Sequence, residues 1–173
     1  MSSLNFTNIL TQTVDELSES TSYKGLIRQH TDGNPLPSGA MLCEIVELAR
    51  AILFPGYFGN ATLNSRTINY HIGVNVERLM ELLTQQILAG LCSVEENSNQ
   101  AYGEELRLKA ANLSAQFIAQ LPQIRKLLAT DVEAAYNGDP AATSYGEVIS
   151  CYPAIKAISN YRIAHELRRL GVP

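Results

Sequence analysis

The stretch 67–91, TINYHIGVNVERLMELLTQQILAGL, decides the fold class. Its aliphatic residues Ile68, Ile72, Val76, Leu79, Leu83, Ile87 and Leu91 recur every three or four positions. Side chains at that spacing return to one face of an α-helix, so the stripe predicts a single long amphipathic helix. Gly73 lies inside it at a cost of about 1 kcal/mol relative to alanine, which a long packed helix absorbs. An apolar face of this length needs cover from at least two other helices, which places this one at the centre of the domain.

The flanking sequence carries the same period. Upstream, Ser38 suits the N-cap of a helix bearing Met41, Leu42, Ile45, Val46, Ala49 and Ile52, and Pro55-Gly56 ends it before an aromatic turn, Tyr57-Phe58-Gly59-Asn60. Before that, 18–38 contains Asp32-Gly33-Asn34-Pro35 and Pro37, which predicts turns with at most a short helix around Leu26. Phe6, Leu10, Val14 and Leu17 mark one face of a short first helix, and 1–38 is set apart as a short arm. Downstream, polar 95–100 reads as a loop. Leu106, Ala110, Leu113, Phe117 and Leu121 mark a helix that Pro122 closes or kinks, and Ile124, Leu128, Val132 and Ala135 mark another. Asn137-Gly138 is expected to stop that helix as a left-handed cap.

The last helix is framed by Pro153 at its first position and Gly171 beyond its end, with Arg168 and Arg169 matching its C-terminal dipole. Its polar residues Ser159, Arg162, Glu166 and Arg169 share one narrow sector. Apolar or aromatic side chains fill most of the rest, so this helix is expected to pack against more than one neighbour. No stretch alternates with period two and no repeat occurs. The expectation is an all-α domain spanning 1–173, with about six or seven helices.

Composition narrows the function. The chain has 173 residues, 46% hydrophobic and 17% charged, enough to bury a substantial core. A formal charge of −4 and the lack of a basic face argue against binding nucleic acid or an anionic membrane. No apolar run is long enough to cross a bilayer, and 1–17 lacks the basic and apolar regions of a secretory signal. The cysteines Cys43, Cys92 and Cys151 are odd in number and widely spaced, neither a disulfide framework nor a zinc site. Each reads as a small buried hydrophobe in a reducing compartment, so a cytoplasmic location is expected.

The common catalytic motifs are absent: no phosphate-binding glycine loop, no H-E-x-x-H, no G-x-S-x-G and no calcium loop. His30, His71 and His165 lie far apart, and His71 and His165 read as packed helix residues. Glu104-Glu105 at a helix start and Glu95-Glu96 in a loop read as solvated or dipole-matched pairs. One segment stands out, Asp131-Val132-Glu133-Ala134-Ala135-Tyr136-Asn137-Gly138-Asp139-Pro140-Ala141. Pro140 biases Asp139 towards an extended backbone and projects its carboxylate from a rigid corner. On physical grounds alone this is an ordinary turn aspartate.

The segment is followed by Glu147-Val148-Ile149, then Tyr152-Pro153-Ala154-Ile155-Lys156-Ala157-Ile158, then Tyr161-Arg162-Ile163-Ala164-His165-Glu166-Leu167. In that order these elements resemble the serine O-acetyltransferase family: an aspartate-rich helix, an Asp-Pro-Ala turn, a Tyr-Pro-Gly or similar step and a helix that reads Tyr or His, then Arg-Ile, then Ala or Gly, then His. Ala154 stands where many members carry glycine. Leu53-Phe54-Pro55-Gly56-Tyr57-Phe58-Gly59 is similar to a motif of the bacterial branch with a longer N-terminal region.

The resemblance implies the helical N-terminal domain of such an enzyme, ending just before the left-handed β-helix of hexapeptide repeats. In the family that β-helix carries the catalytic histidine and the acetyl-CoA site, and cysteine commonly inhibits at the serine site. It implies trimers or hexamers, L-serine and acetyl-CoA as substrates of the full enzyme, and O-acetylserine sulfhydrylase as a partner. By the matching motif, Asp139 is the aspartate that reaches the serine pocket, where a carboxylate would meet serine's ammonium. No catalytic residue, cofactor-binding residue or metal ligand is expected within 1–173, and the isolated chain is expected to be inactive. Two other readings stay open: a free-standing helical oligomerisation or regulatory module, and an unrelated helical enzyme.

Overall fold

In the computed structural model, which describes residues 6–23, 36–59, 62–94 and 104–173, the apolar periods become six α-helices, with no strand among the described residues. The short helix around Leu26, the Asp32–Pro35 turn, the 95–100 loop, Glu95-Glu96, Asn60 and His30 lie outside the described residues. The chain divides into two units, Met1–Gly33 and Asn34–Pro173.

The first unit contains α1, Phe6–Ser18, followed by a short 3-10 turn, Ser20–Tyr23. The stripe Phe6, Leu10, Val14 and Leu17 forms one face of α1 as expected, yet α1 has no buried residue and Phe6 is 73% exposed.

In the second unit α2, Gly39–Leu53, starts at Ser38, whose Oγ accepts a bond from the Met41 amide and whose own amide donates to Gln86 Oε1 at 2.7 Å. Gln86 is a buried polar residue of α3, Ile68–Val94, so the start of α2 is tied to the middle of α3. The α3 helix packs against both α2 and α4, the cover that its stripe requires. Burial is complete only over its second half, at Leu79, Leu82, Leu83, Ile87 and Leu91; Ile68, Ile72 and Val76 are half-buried. After α2 the chain turns at Gly56, with φ of 86°, and Gly59, with φ of 78°, where a Cβ would meet that of Ala51 at 3.1 Å. Phe54 and Phe58 meet in this turn at a tilt, with ring centroids 5.9 Å apart.

The two helices expected on either side of Pro122 are one helix, α4, Glu104–Gly138, with Pro122 inside it. Its buried residues run Ala110, Ser114, Phe117, Leu121, Ile124, Leu128 and Val132. The three-or-four step carries straight through the proline, so both halves bury on one continuous face. Pro122 is exposed, so its ring displaces no core side chain, and its cost is the lost amide donor together with crowding of the carbonyl one turn back. Glu104 and Glu105 occupy the first turn, matched to the helix dipole. The expected cap at Gly138 is corrected: Gly138 is the last helical residue and is not among the positive-φ glycines. The stop is set by the next turn, in which the Ala142 amide donates to the Asp139 carbonyl at 3.1 Å.

A short helix absent from the sequence reading, α5, Tyr145–Cys151, packs on α4. Ser144 Oγ accepts from the Glu147 amide at 3.1 Å, while Glu147 Oε2 reaches back to the Thr143 amide at 2.8 Å, a close variant of the capping box. Then α6, Pro153–Arg169, crosses α4 and α2 with proline in its first turn. Gly171, with φ of 79°, ends it through a Schellman arrangement in which the Val172 amide donates to the Leu167 carbonyl at 3.1 Å.

The polar sector of α6 lies on its inward face except at Arg169, which is exposed. Ser159 is fully buried, Glu166 is buried, and they alternate with buried Ile155 and Ile163. Arg162 forms a two-pronged ion pair with Asp131 of α4, both contacts at 2.6 Å. Arg50 of α2, only 3% exposed, donates to Ser159 Oγ at 3.3 Å and to Asn160 Oδ1 at 2.5 Å, and lies over the Phe58 ring. The Glu47 carboxylate, 2.7 Å away, supplies its counter-charge. Small and aromatic residues counted as apolar, Ala154, Ala157, Tyr161 and Ala164, face outward instead. The cysteine expectation holds at Cys92, which is buried, and fails at Cys43 and Cys151, which are exposed.

Candidate functional site

Asp139 follows directly on α4, before Pro140. The proline cannot donate, so the turn closes through the aspartate: Oδ1 accepts the Ala141 amide at 2.9 Å while the Asp139 carbonyl accepts that of Ala142. The other carboxylate oxygen is also engaged. Tyr152, at the junction of α5 and α6, donates its phenol to Asp139 Oδ2 at 2.6 Å. The side chain is therefore half-buried and held from two sides, and the rigid corner expected from Pro140 carries a carboxylate engaged by its neighbours.

These bonds set the charge. The Tyr152 phenol, and after it the Ala141 amide, hold the Asp139 carboxyl below the usual carboxylate range. The same bond pushes the Tyr152 phenol up to about 12, so it remains a donor at neutral pH. Glu147 is a second carboxylate close enough to interact with Asp139, itself held low by the hydroxyl and amide of Thr143. The rings of Tyr136 and Tyr145 lie 4.5 Å apart, bracing the end of α4 against α5.

The other candidates stay apart from this turn. His71 is half-buried on α3 beside Tyr70. His165 is exposed on α6 and stacked on Tyr161 at 5.6 Å, so its expected packing is corrected to a surface position. Neither histidine joins the partners of the Asp139 carboxylate. Asp131, in the same sequence segment, is committed to Arg162. An open apolar groove of about 450 Å³ lies between the end of α2, α4 and α5, lined by residues that include Leu53, Phe54, Val132, Tyr145 and Ile149 but not Asp139. Among the described residues no cluster of histidine, cysteine or carboxylate side chains is arranged to hold a metal ion. No helix among them is long and apolar enough to cross a membrane.

The arrangement therefore offers an ionised, oriented carboxylate suited to a cation. Tyr152 was not recognised from sequence as part of it. The available signals were the Tyr-Pro step, which fixes an extended residue ahead of a helix, and Ser144-x-x-Glu147, which marks the start of α5.

No family model matches the chain. Among characterised proteins it is similar to "Serine acetyltransferase, plasmid" of Synechococcus elongatus, 41% identical over 141 residues, which is 80% of this chain and 44% of that protein. A serine acetyltransferase of Synechocystis sp. is 39% identical over 46 residues, 27% of this chain and 18% of that protein. Among solved structures it resembles serine acetyltransferase isoform 3 of Entamoeba histolytica in complex with cysteine, with a TM-score of 0.56 and 25% identity, covering 95% of this chain and 49% of that one. Serine acetyltransferase 1 of the same organism in complex with L-cysteine gives a TM-score of 0.57 at 25% identity, over 92% of this chain and 50% of that one. The chain thus spans about half the length of these proteins or less.

Proposed function

We propose, from the homology of this chain to serine acetyltransferases, that it is the helical assembly and serine-pocket domain of such an enzyme. The observation that carries the reading is the 41% identity over 141 residues, within an all-helical fold shared with the solved serine acetyltransferases. The reaction would move an acetyl group from acetyl-CoA to the hydroxyl of L-serine, giving O-acetyl-L-serine and CoA. In this reading the acetyl-CoA site and the general base belong to the β-helical part of the enzyme, and this domain binds no cofactor. The compartment is the cytoplasm, the assembly a trimer or hexamer, and O-acetylserine sulfhydrylase a partner.

Asp139 is the serine contact of this domain. Its carboxyl is held low in pKa and fixed in a turn, so in this reading a charge-assisted hydrogen bond to serine's ammonium would orient the hydroxyl towards the base. The same contact would serve the ammonium of cysteine, the amino acid found in the two Entamoeba complexes.

The test is Asp139→Asn in the enzyme that carries this domain. The substitution keeps size and turn but removes the charge, and a charged hydrogen bond is worth about 1.5–3 kcal/mol. The kcat/KM for serine should fall about ten- to a hundredfold, with little change in KM for acetyl-CoA. Glu133→Gln, on the exposed side of α4, should leave serine kinetics intact. Normal serine kinetics in Asp139→Asn would reduce Asp139 to a turn residue.

A further inference from the structure

Asp139 and Tyr152 stand 13 residues apart, yet their side chains meet at 2.6 Å. We propose that Tyr152 is a positioning residue for the serine site, its phenol holding the Asp139 carboxylate in the orientation that receives serine's ammonium. The proposal rests on the assignment of Asp139 made above.

The backbone shows why the tyrosine is fixed. Pro153, in the first turn of α6, disfavours helical geometry at the residue before it, and Tyr152 is extended at φ −79° and ψ 118°. Its amide donates to the Val148 carbonyl at the end of α5, at 3.2 Å, and its carbonyl accepts the Ile155 amide of α6, at 3.1 Å. Two helices thus clamp the backbone on either side, and the half-buried ring rests against the hydrophobic core. The phenol has little freedom to point elsewhere.

The carboxylate gains direction from this. An ionised carboxylate has about four acceptor positions, of which the Ala141 amide and the Tyr152 phenol occupy two, one on each oxygen. Rotation about the carboxyl bond would break both, so the remaining positions are fixed in space before any ligand arrives. Catalytic orientation depends on such prior ordering, because a contact that must first be arranged loses part of its worth. A lysine or arginine in place of the phenol would also hold the carboxylate but would neutralise it. A phenol polarises the carboxylate without cancelling the charge that an ammonium needs. The ionisable groups interacting with this pair are Glu147 and Cys151 of α5, and neither supplies a competing positive charge.

The experiment compares Tyr152→Phe, Asp139→Asn and the double variant in the enzyme that carries this domain. Tyr152→Phe should lower kcat/KM for serine about three- to tenfold, the range for one lost hydrogen bond, and leave KM for acetyl-CoA unchanged. The acidic limb of its pH profile for serine should move to higher pH, because the carboxylate loses a donor that favours its charge. In the Asp139→Asn background the tyrosine substitution should have no further effect on serine kinetics, a non-additivity that a packing role would not produce. Additive losses, or an acidic limb at the wild-type position, would overturn the proposal. If Asp139→Asn impairs serine use while Tyr152→Phe is silent, the role of Tyr152 fails and that of Asp139 stands. If Asp139→Asn is itself silent, both assignments fail. Should Tyr152→Phe unfold, Tyr152→His replaces it: its acidic limb must shift with the imidazole's own titration, and a limb fixed at the wild-type pH would count as refutation.

Discussion

Asp139 closes the turn after α4 through its backbone carbonyl and Oδ1, and its two side-chain contacts, from the Ala141 amide and the Tyr152 phenol, favour the ionised form. Its carboxyl, like those of Glu147 and Glu166, is held below the ordinary range, for Glu166 chiefly by Arg169. A group whose folded-state pKa is depressed stabilises the fold above its unfolded value and loses that contribution as pH falls through the folded one. Stability should therefore be flat near neutrality and decline once pH drops below about 4.5, where unfolded carboxylates begin to bind protons. Melting temperatures between pH 7 and pH 3 check this, and Asp139→Asn should show a shallower acid decline than the wild type. Arg50 makes the complementary case of a buried cation whose directed donors are used on Ser159, Asn160 and Glu47. Lysine cannot reproduce that fork. Arg50→Lys should lose about 1–3 kcal/mol in denaturant unfolding, and an unchanged midpoint would mean that the arginine's geometry is dispensable.

Among the helices, α4 illustrates how far periodicity can be read and where it misleads. The sequence contains both halves of its stripe, but a proline between them reads as a boundary, because a local rule cannot register that the two stripes share one phase. The steps Phe117, Leu121, Ile124 and Leu128 preserve that phase, and burial along one face outweighs a missing amide donor. If so, Pro122→Ala should stabilise the chain by about 1–3 kcal/mol, part of the interior-proline penalty. A loss of stability would show that α4 needs a bend at this point. The helix α6 packs against more than one neighbour as expected, on α4 and α2, but the polar character of its inward face does not follow from the apolar pattern. A pattern of apolar residues identifies a buried face when burial is hydrophobic, whereas α6 docks through Ser159 and Arg162 as well as through buried Ile155 and Ile163. The partners of Ser159 and Arg162, Arg50 and Asp131, sit on other helices, 109 and 31 positions away. The central stripe of α3 was legible because it is aliphatic and long. Within it, Leu79→Ala and Leu83→Ala should each cost about 2–5 kcal/mol, while Ile68→Ala, half-buried near the helix start, should cost under about 1 kcal/mol. Equal losses at all three would mean that the whole stripe, and not its second half, forms the core.

At the level of the whole molecule, the all-α class was readable from period before any coordinates, while Asp139 was singled out by a family motif and its role stays a proposal. The engagement of Asp139 by Tyr152 was not readable, because it is a meeting of two loops across a helix that the sequence reading missed. The chain spans 44% of its Synechococcus relative, and that proportion frames what it is expected to do alone. Acetyl transfer to serine needs a base to take the hydroxyl proton, donors for the developing oxyanion and a site for the thioester. The described residues bring two carboxylates to the Asp139 turn, Asp139 held by a phenol and an amide and Glu147 held by Thr143, each already committed to donors of the fold. Held below the usual range, both are also too weak as bases to remove a hydroxyl proton at neutral pH. An anchoring charge by itself can bind an ammonium weakly but does not lower the barrier to acyl transfer. The purified 173-residue chain, mixed with L-serine and acetyl-CoA, should therefore release no CoA thiol above the rate without protein. Calorimetry should show no tight binding of either substrate. Sustained thiol release by the purified chain, abolished by removing serine, would place a complete active site within these residues and overturn the division of labour proposed for them.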